Sequence, residues 1–201
     1  MRKRLSADST AADEAVTPYN PRADEMFIVS HLTKRLHIPP IAGAAGGATA
    51  DLLPTLTTAF DTLYGGRCCE EGFVRKRSVV ARDHSGIRAE GSTCYVDAML
   101  TCDVFYPIVG QPLHCVVMEA TNMSVCACSA LCPEAITPFR MYLLPEMHVG
   151  SPLYKQLRKG VHFIAEVISS EFTLYAAYIT ITGRVTQILP EGTDVSKYVR
   201  E

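Results

Sequence analysis

The sequence predicts an α+β unit, an antiparallel sheet carrying one helix, followed by an all-β barrel of five short strands. Three observations carry that expectation. One stretch in the first half spaces its apolar residues as a helix does, while most of the remaining apolar runs alternate as strands do. A corner at Phe105-Tyr106-Pro107-Ile108-Val109-Gly110 separates the two sets, because proline has no amide to donate and glycine accepts the sharp bend.

Residues 1–24 are rich in Ser, Ala, Thr, Asp and Pro, hold no apolar period, and read as a disordered tail. A first domain spans 25–106 and opens on Met26-Phe27-Ile28-Val29, a short apolar strand. Pro39-Pro40 ends that segment, and the glycine-bearing run 42–50 reads as a loop. Leu53, Leu56, Phe60 and Leu63 then fall on one face of a helix. Asp51 is its expected N-cap, Pro54 sits in the first turn where a missing amide does little harm, and Gly65-Gly66 closes it. Strands are expected at 72–74, at 79–81, from Ile87, and at 94–105. Arg75-Lys76-Arg77, the sharpest basic cluster, is expected on a solvated strand face, with a contact to nucleic acid or to an acidic protein patch as the alternative, and Asp83-His84-Ser85-Gly86 as a turn.

A second domain spans 107–190. Leu113, Cys115 and Val117 alternate as a half-buried strand, Thr121-Asn122 supplies a turn, and Val125 and Ala127 resume the alternation. Three more strands follow at 139–144, 161–168 and 173–185. Val161, Phe163, Ala165 and Val167 share a face in the fourth; Tyr175, Ala177, Ile179 and Ile181 are expected to do so in the fifth. Five strands with a long link (145–158) between the third and fourth is the pattern of an OB-fold barrel. Residues 191–201 read as a polar tail.

Composition narrows the function classes. The 201 residues are 48% hydrophobic and 20% charged with net charge −2, so any grip on nucleic acid must come from a local patch. No apolar run has the length of a membrane helix, so no membrane is expected as a partner. The eight cysteines, without a secretory leader, point to a reducing intracellular compartment, and Arg2-Lys3-Arg4 is a weak nuclear address. Cys126-x-Cys128-x-x-x-Cys132 lacks the Cys-x-x-Cys curl of a zinc knuckle, and buried thiols account for it better. There is no glycine-rich phosphate loop, His-Glu-x-x-His or Gly-x-Ser-x-Gly, and the six histidines are scattered. No catalytic residue, cofactor or metal is expected.

The ordered set of Met26-Phe27, the helix, the glycines at 65, 66 and 72, the Phe105-Tyr106-Pro107-Ile108-Val109-Gly110-Gln111 junction and the barrel resembles the seventh, stalk-forming subunit of DNA-dependent RNA polymerases and its archaeal counterpart. The resemblance covers roughly 26–185. Gln111 stands where the family has Glu, Cys69 where it has the middle glycine of the tip loop, and Ser124 where it has a glycine in the first barrel turn. Such departures suit a diverged member, of the kind a large DNA virus carries with its own polymerase. The resemblance implies a non-catalytic subunit located in the nucleus if cellular, or in the virion or virus factory if viral. Its N-terminal domain would dock on the polymerase core through Gly65, Gly66, Gly72 and Phe73, and pair with a fourth-subunit-like partner. Its barrel would meet nascent single-stranded RNA, using Arg140, Tyr142, Tyr154, Lys155, Arg158, Lys159, Phe172 and Arg184, with Tyr175 a weaker candidate. From 107 to 190 five basic residues face five acidic ones, so the RNA contact is expected to be loose and indifferent to sequence. The alternative is a free-standing OB-fold RNA-binding factor in RNA processing or translation.

Overall fold

In a computed structural model of the chain, residues 26–38, 52–91, 93–132 and 134–190 are described. The expectations for 1–24, 42–50, Asp51 and 191–201 lie outside these residues.

The first unit is built around one long strand. β1 (Ile28–Ile38) pairs antiparallel with β6 (Thr93–Phe105) along its whole length, from Ile28↔Val104 to Ile38↔Cys94. Along the other edge of β6 lie three short strands in succession: β5 (Arg88–Glu90), β4 (Val80–His84) and β3 (Gly72–Val74), with β2 (Arg67–Cys69) outside β3. The helix α1 (Leu53–Tyr64) covers one face of this sheet. It buries Leu56 and Phe60 against Leu32, Leu36, Val96, Ala98 and Leu100, the residues that alternation turns inward. Its side chains also fix the neighbouring chain: Thr57 Oγ1 accepts from the Ala81 amide at 2.9 Å, and Asp61 Oδ1 accepts from the Arg77 amide at 2.8 Å.

The second unit is a closed barrel of β7 (Pro112–Ala120), β8 (Val125–Ser129), β9 (Phe139–Leu143), β10 (His162–Glu171) and β11 (Ile179–Ile188). The order round the barrel is β7-β8-β9-β11-β10, closing on β7. β9 and β11 run parallel and the other four pairings are antiparallel. This is the five-stranded Greek-key order of an OB-fold. Each strand turns alternate residues inward: Leu113, Cys115 and Val117; Val125 and Ala127; Phe139, Met141 and Leu143; Phe163, Ala165 and Val167; Ile179 and Ile181. Gly183 is where β11 crosses Met141, whose Sδ would lie 2.5 Å from any added Cβ.

The chain crosses between units at 106–111, but packing does not stop there. Cys68, Phe73 and Phe105 of the sheet belong to the barrel's apolar cluster, and the Phe105 ring lies 5.5 Å from Phe139 and 6.2 Å from Phe27. The hairpin β2–β3 is also stitched to the β10–β11 loop. The Cys68 amide donates to Ala176 O, and the Tyr175 amide donates to Cys68 O, both at 2.8 Å. Tyr175 takes φ +64° and stacks on Tyr64 with centroids 5.3 Å apart. A positive φ on a bulky residue is strained, and here the stack and the two backbone bonds hold it.

Five local expectations need correction. The first strand extends to Ile38 rather than ending at Val29, because β6 offers a partner along its full length. Leu63, on the expected apolar face of the helix, is exposed; Tyr64, four residues after Phe60, takes the inward position and packs on the sheet's core instead. Arg75-Lys76-Arg77 forms a turn rather than a strand face, with Arg77 at φ +64° under the Asp61 carboxylate. Asp83 and His84 belong to β4, so the turn begins only at Ser85. The fifth barrel strand starts at Ile179, because 172–178 leave the barrel to reach the hairpin.

Candidate nucleic-acid interface

Strand parity decides what the barrel shows to solvent. With Met141 inward, Arg140 and Tyr142 face outward on β9, beside Cys128 and Cys126 of β8 on one side and Thr180 and Thr182 of β11 on the other. The Arg140 guanidinium lies over the Tyr178 ring, 4.5 Å from its centroid. Its Nε is buried without a hydrogen-bond partner among the described residues. Burial, with Cys126 and Tyr178 adding to it, pushes the Tyr142 phenol above its usual range. A cation stacked on one aromatic ring, beside a second ring on the same wall, can take a phosphate and offer a π-face to a base.

Next to this wall, an open groove of about 860 Å³ is bordered by Ser170, Glu171, Phe172, Thr173, Tyr178 and Thr180. Phe172 is held edge-on by Tyr106, with centroids 6.1 Å apart at 87°. Arg140, Tyr142 and Phe172 are thus brought together, and Tyr178 joins them. Sequence reading missed Tyr178, although parity would have found it: with Ile179 and Ile181 inward, residue 178 shares the outward face of Thr180 and Thr182.

The other candidates lie elsewhere. The β9–β10 connection closes the opposite end of the barrel with 3-10 turns at Pro145–His148 and Tyr154–Gln156. Tyr154 donates its hydroxyl to Leu143 O at 3.3 Å and stacks on His148 at 4.7 Å, so its ring is already covered on one face. His148 is buried, donating from Nδ1 to Leu144 O at 2.7 Å and accepting at Nε2 from the Val185 amide at 3.0 Å. Lys155, Arg158 and Lys159 are exposed around this plug, with Arg158 Nη1 donating to the carbonyls of Lys155 and Leu157. Arg184 is outward on β11 beside Glu166, at 3.7 Å, an exposed pair of little energetic weight.

Of the four residues expected to dock on a larger partner, Gly65 and Gly66 join α1 to the hairpin, and Gly72 and Phe73 lie at the seam between sheet and barrel. Gly72 and Phe73 are buried there. At Gly72, φ is +131° and an added Cβ would meet Phe105 O at 2.5 Å, so only glycine lets the hairpin pass so close to β6. Gly65 donates its amide to Asp61 O to end the helix, and Gly66 donates to Val74 O to start the hairpin. The hairpin turn itself is exposed at Glu70, where Lys34 bridges Glu70 and Glu71 at 2.7 and 2.8 Å.

The thiols divide between interior and surface. Cys115 points into the barrel, 3.8 Å from Met141 Sδ, whereas Cys126 and Cys128 face away from its interior, Cys126 half-buried and Cys128 buried under the wall's other side chains. Burial pushes Cys68 and Cys102 up to about 12 and Cys69 up to about 11, far from the thiolate form a nucleophile or metal ligand needs. Among the described residues no group of three or more His, Cys, Asp or Glu is arranged to hold a metal, and no helix is long and apolar enough to cross a membrane.

Fold and wall together define an OB-type barrel clasped to a helix-backed sheet, with a cation–aromatic cluster on β9 and β11. No protein-family model and no curated protein matches the chain.

Proposed function

We propose that this chain is a non-catalytic stalk subunit of a multisubunit DNA-dependent RNA polymerase that touches nascent RNA through its barrel. The observation that carries the reading is a single arrangement: a one-helix sheet clasped to an OB-order barrel whose outer wall bears Arg140 on Tyr178, with Tyr142 beside it. The resemblance in order and spacing supports the polymerase part, and the wall's chemistry supports the RNA part.

In this reading the hairpin turn and the end of α1 meet the polymerase core. Gly65, Gly66, Gly72 and Phe73 shape that hairpin from within. The fourth-subunit-like partner covers exposed apolar residues at the junction end of the sheet: Ile28 and Val29 on β1, then Tyr106, Ile108 and Val109 on the crossing segment, the last 69% exposed. RNA lies across β9 and β11, and the balance of charge in the barrel keeps that contact weak and salt-sensitive.

Affinity purification of the tagged full chain from its native source, followed by mass spectrometry, tests this. Recovery of large polymerase subunits is the expected result. A monodisperse chain that recovers none of them, yet binds RNA tightly with a steep salt slope, would instead identify a free-standing RNA-binding factor.

A further inference from the structure

We propose that the groove bordered by Glu171, Phe172 and Tyr178 takes a guanine base of the bound RNA, with Glu171 reading its Watson–Crick edge. This rests on the RNA contact proposed above and adds a base preference to it. The groove joins three features. Its volume of about 860 Å³ is ample for one nucleotide. Phe172 and Tyr178 are both half-buried on its walls, so apolar ring surface is offered without freely moving side chains. Glu171 is exposed, and its carboxylate has no hydrogen-bond or ion-pair partner among the described residues.

Electrostatics orients the ligand. A carboxylate in the groove repels phosphate, while Arg140, stacked on Tyr178, attracts it. The base therefore enters the groove and the backbone runs toward β9. The edge chemistry then selects among the four bases. An ionised carboxylate only accepts hydrogen bonds, through two oxygens side by side. Guanine alone presents two adjacent donors, N1–H and the N2 amine, on its Watson–Crick edge. Adenine and cytosine each set a ring-nitrogen lone pair beside their amine, and uracil flanks its single N–H with two carbonyls. Each of those three meets the carboxylate with at least one repelled acceptor.

The test is fluorescence anisotropy of the full chain, at low salt, with uridine heptamers carrying guanine, adenine, cytosine, inosine or uracil at the central position. The guanine heptamer is expected to bind about tenfold more tightly than the adenine, cytosine and uracil ones, the discrimination typical of one bidentate pair. Inosine, which keeps N1–H and lacks the amine, is expected to fall between. Glu171→Ala should level the series, and Glu171→Gln should remove most of the preference; both changes are at an exposed position. Equal binding of all heptamers by the unaltered chain would overturn the base preference and leave the RNA contact standing. A guanine preference that survives Glu171→Ala, or inosine binding as tightly as guanine, would overturn the role of Glu171. Guanosine monophosphate binding as tightly as the guanine heptamer would overturn the assignment to RNA in favour of a free nucleotide. Failure of every heptamer to bind would overturn the RNA contact itself, and this inference with it.

Discussion

The two ends of the barrel are closed by different means. At one end the β10–β11 loop leaves the barrel and is locked to the sheet's hairpin by two backbone hydrogen bonds, a tyrosine stack and the Phe105–Phe139 contact. At the other, the chain plugs its own opening with His148 and Tyr154, each tied to backbone groups of neighbouring strands. Closure by apolar packing between units merges them; closure by a local polar plug leaves the barrel rim free. The exposed basic residues of the connection surround the free rim, and the cation–aromatic wall lies toward the merged one.

Substitutions graded by size can break or sharpen that contrast. Phe105→Ala removes the fully buried ring shared by both units and is expected to lower stability by about 4 kcal/mol. Urea unfolding followed by circular dichroism reads this, and a loss under about 1 kcal/mol would mean that the shared cluster does not join the units.

Acid acts at the wall between the two ends, where β7 meets β10. His114 is 7% exposed, and its Nε2 lies 3.2 Å from His162 Nδ1. Since His114 Nδ1 is buried with no partner, the proton belongs on Nε2, donated to His162, leaving only a bare lone pair unsatisfied. Burial, and to a lesser degree His162, lowers its pKa from 6.5 to about 4. The unfolded chain therefore binds the extra proton first. Stability is undiminished above about pH 6.5 and falls as pH drops toward 4, by about 3 kcal/mol in all from this group. Urea midpoints from pH 7 to 4 measure it. In His114→Leu that decline should shrink; an unchanged decline would assign acid sensitivity to other groups.

At the plugged end, His148→Leu leaves the buried Val185 amide without its acceptor, for an expected loss of about 2 kcal/mol. The same urea titration checks it, and a neutral result would show that the plug does not close the rim. At the merged end, Tyr175→Ala forfeits the stack on Tyr64 without relieving the positive φ, an expected loss of about 1 kcal/mol. Tyr175→Gly relieves the φ and should lose less; the order of the two melting temperatures decides between stack and strain. Arg184→Ala, at an exposed ion pair remote from both ends, is expected to change stability by under about 0.5 kcal/mol.

Much of the barrel was legible because each wall has one wet and one dry face, which writes a period of two into the chain. The strand β1 was cut short because its inner face is itself mixed. Ser30 and Lys34 alternate there with Leu32 and Leu36, and Lys34 tolerates that side only by pairing with Glu70 and Glu71 across the hairpin. That partnership lies 36 residues away in sequence and leaves no local trace. The fifth barrel strand was extended too far because Tyr175 and Ala177 imitate alternation, while the loop they belong to is shaped by a distant tyrosine. Arg140 and Tyr142 followed directly from parity on β9, and Tyr178 was within reach of the same argument, since it alternates with the inward Ile179.

One short loop, 172–178, borders the groove with its outer side and anchors the hairpin with its backbone. Under the proposed function, the surfaces assigned to a protein neighbour and to a strand of nucleic acid are therefore not separate mutational targets. Lengthening, shortening or stiffening that segment alters both at once, so variants meant to dissect them must be drawn from β9 on one side and from α1 on the other.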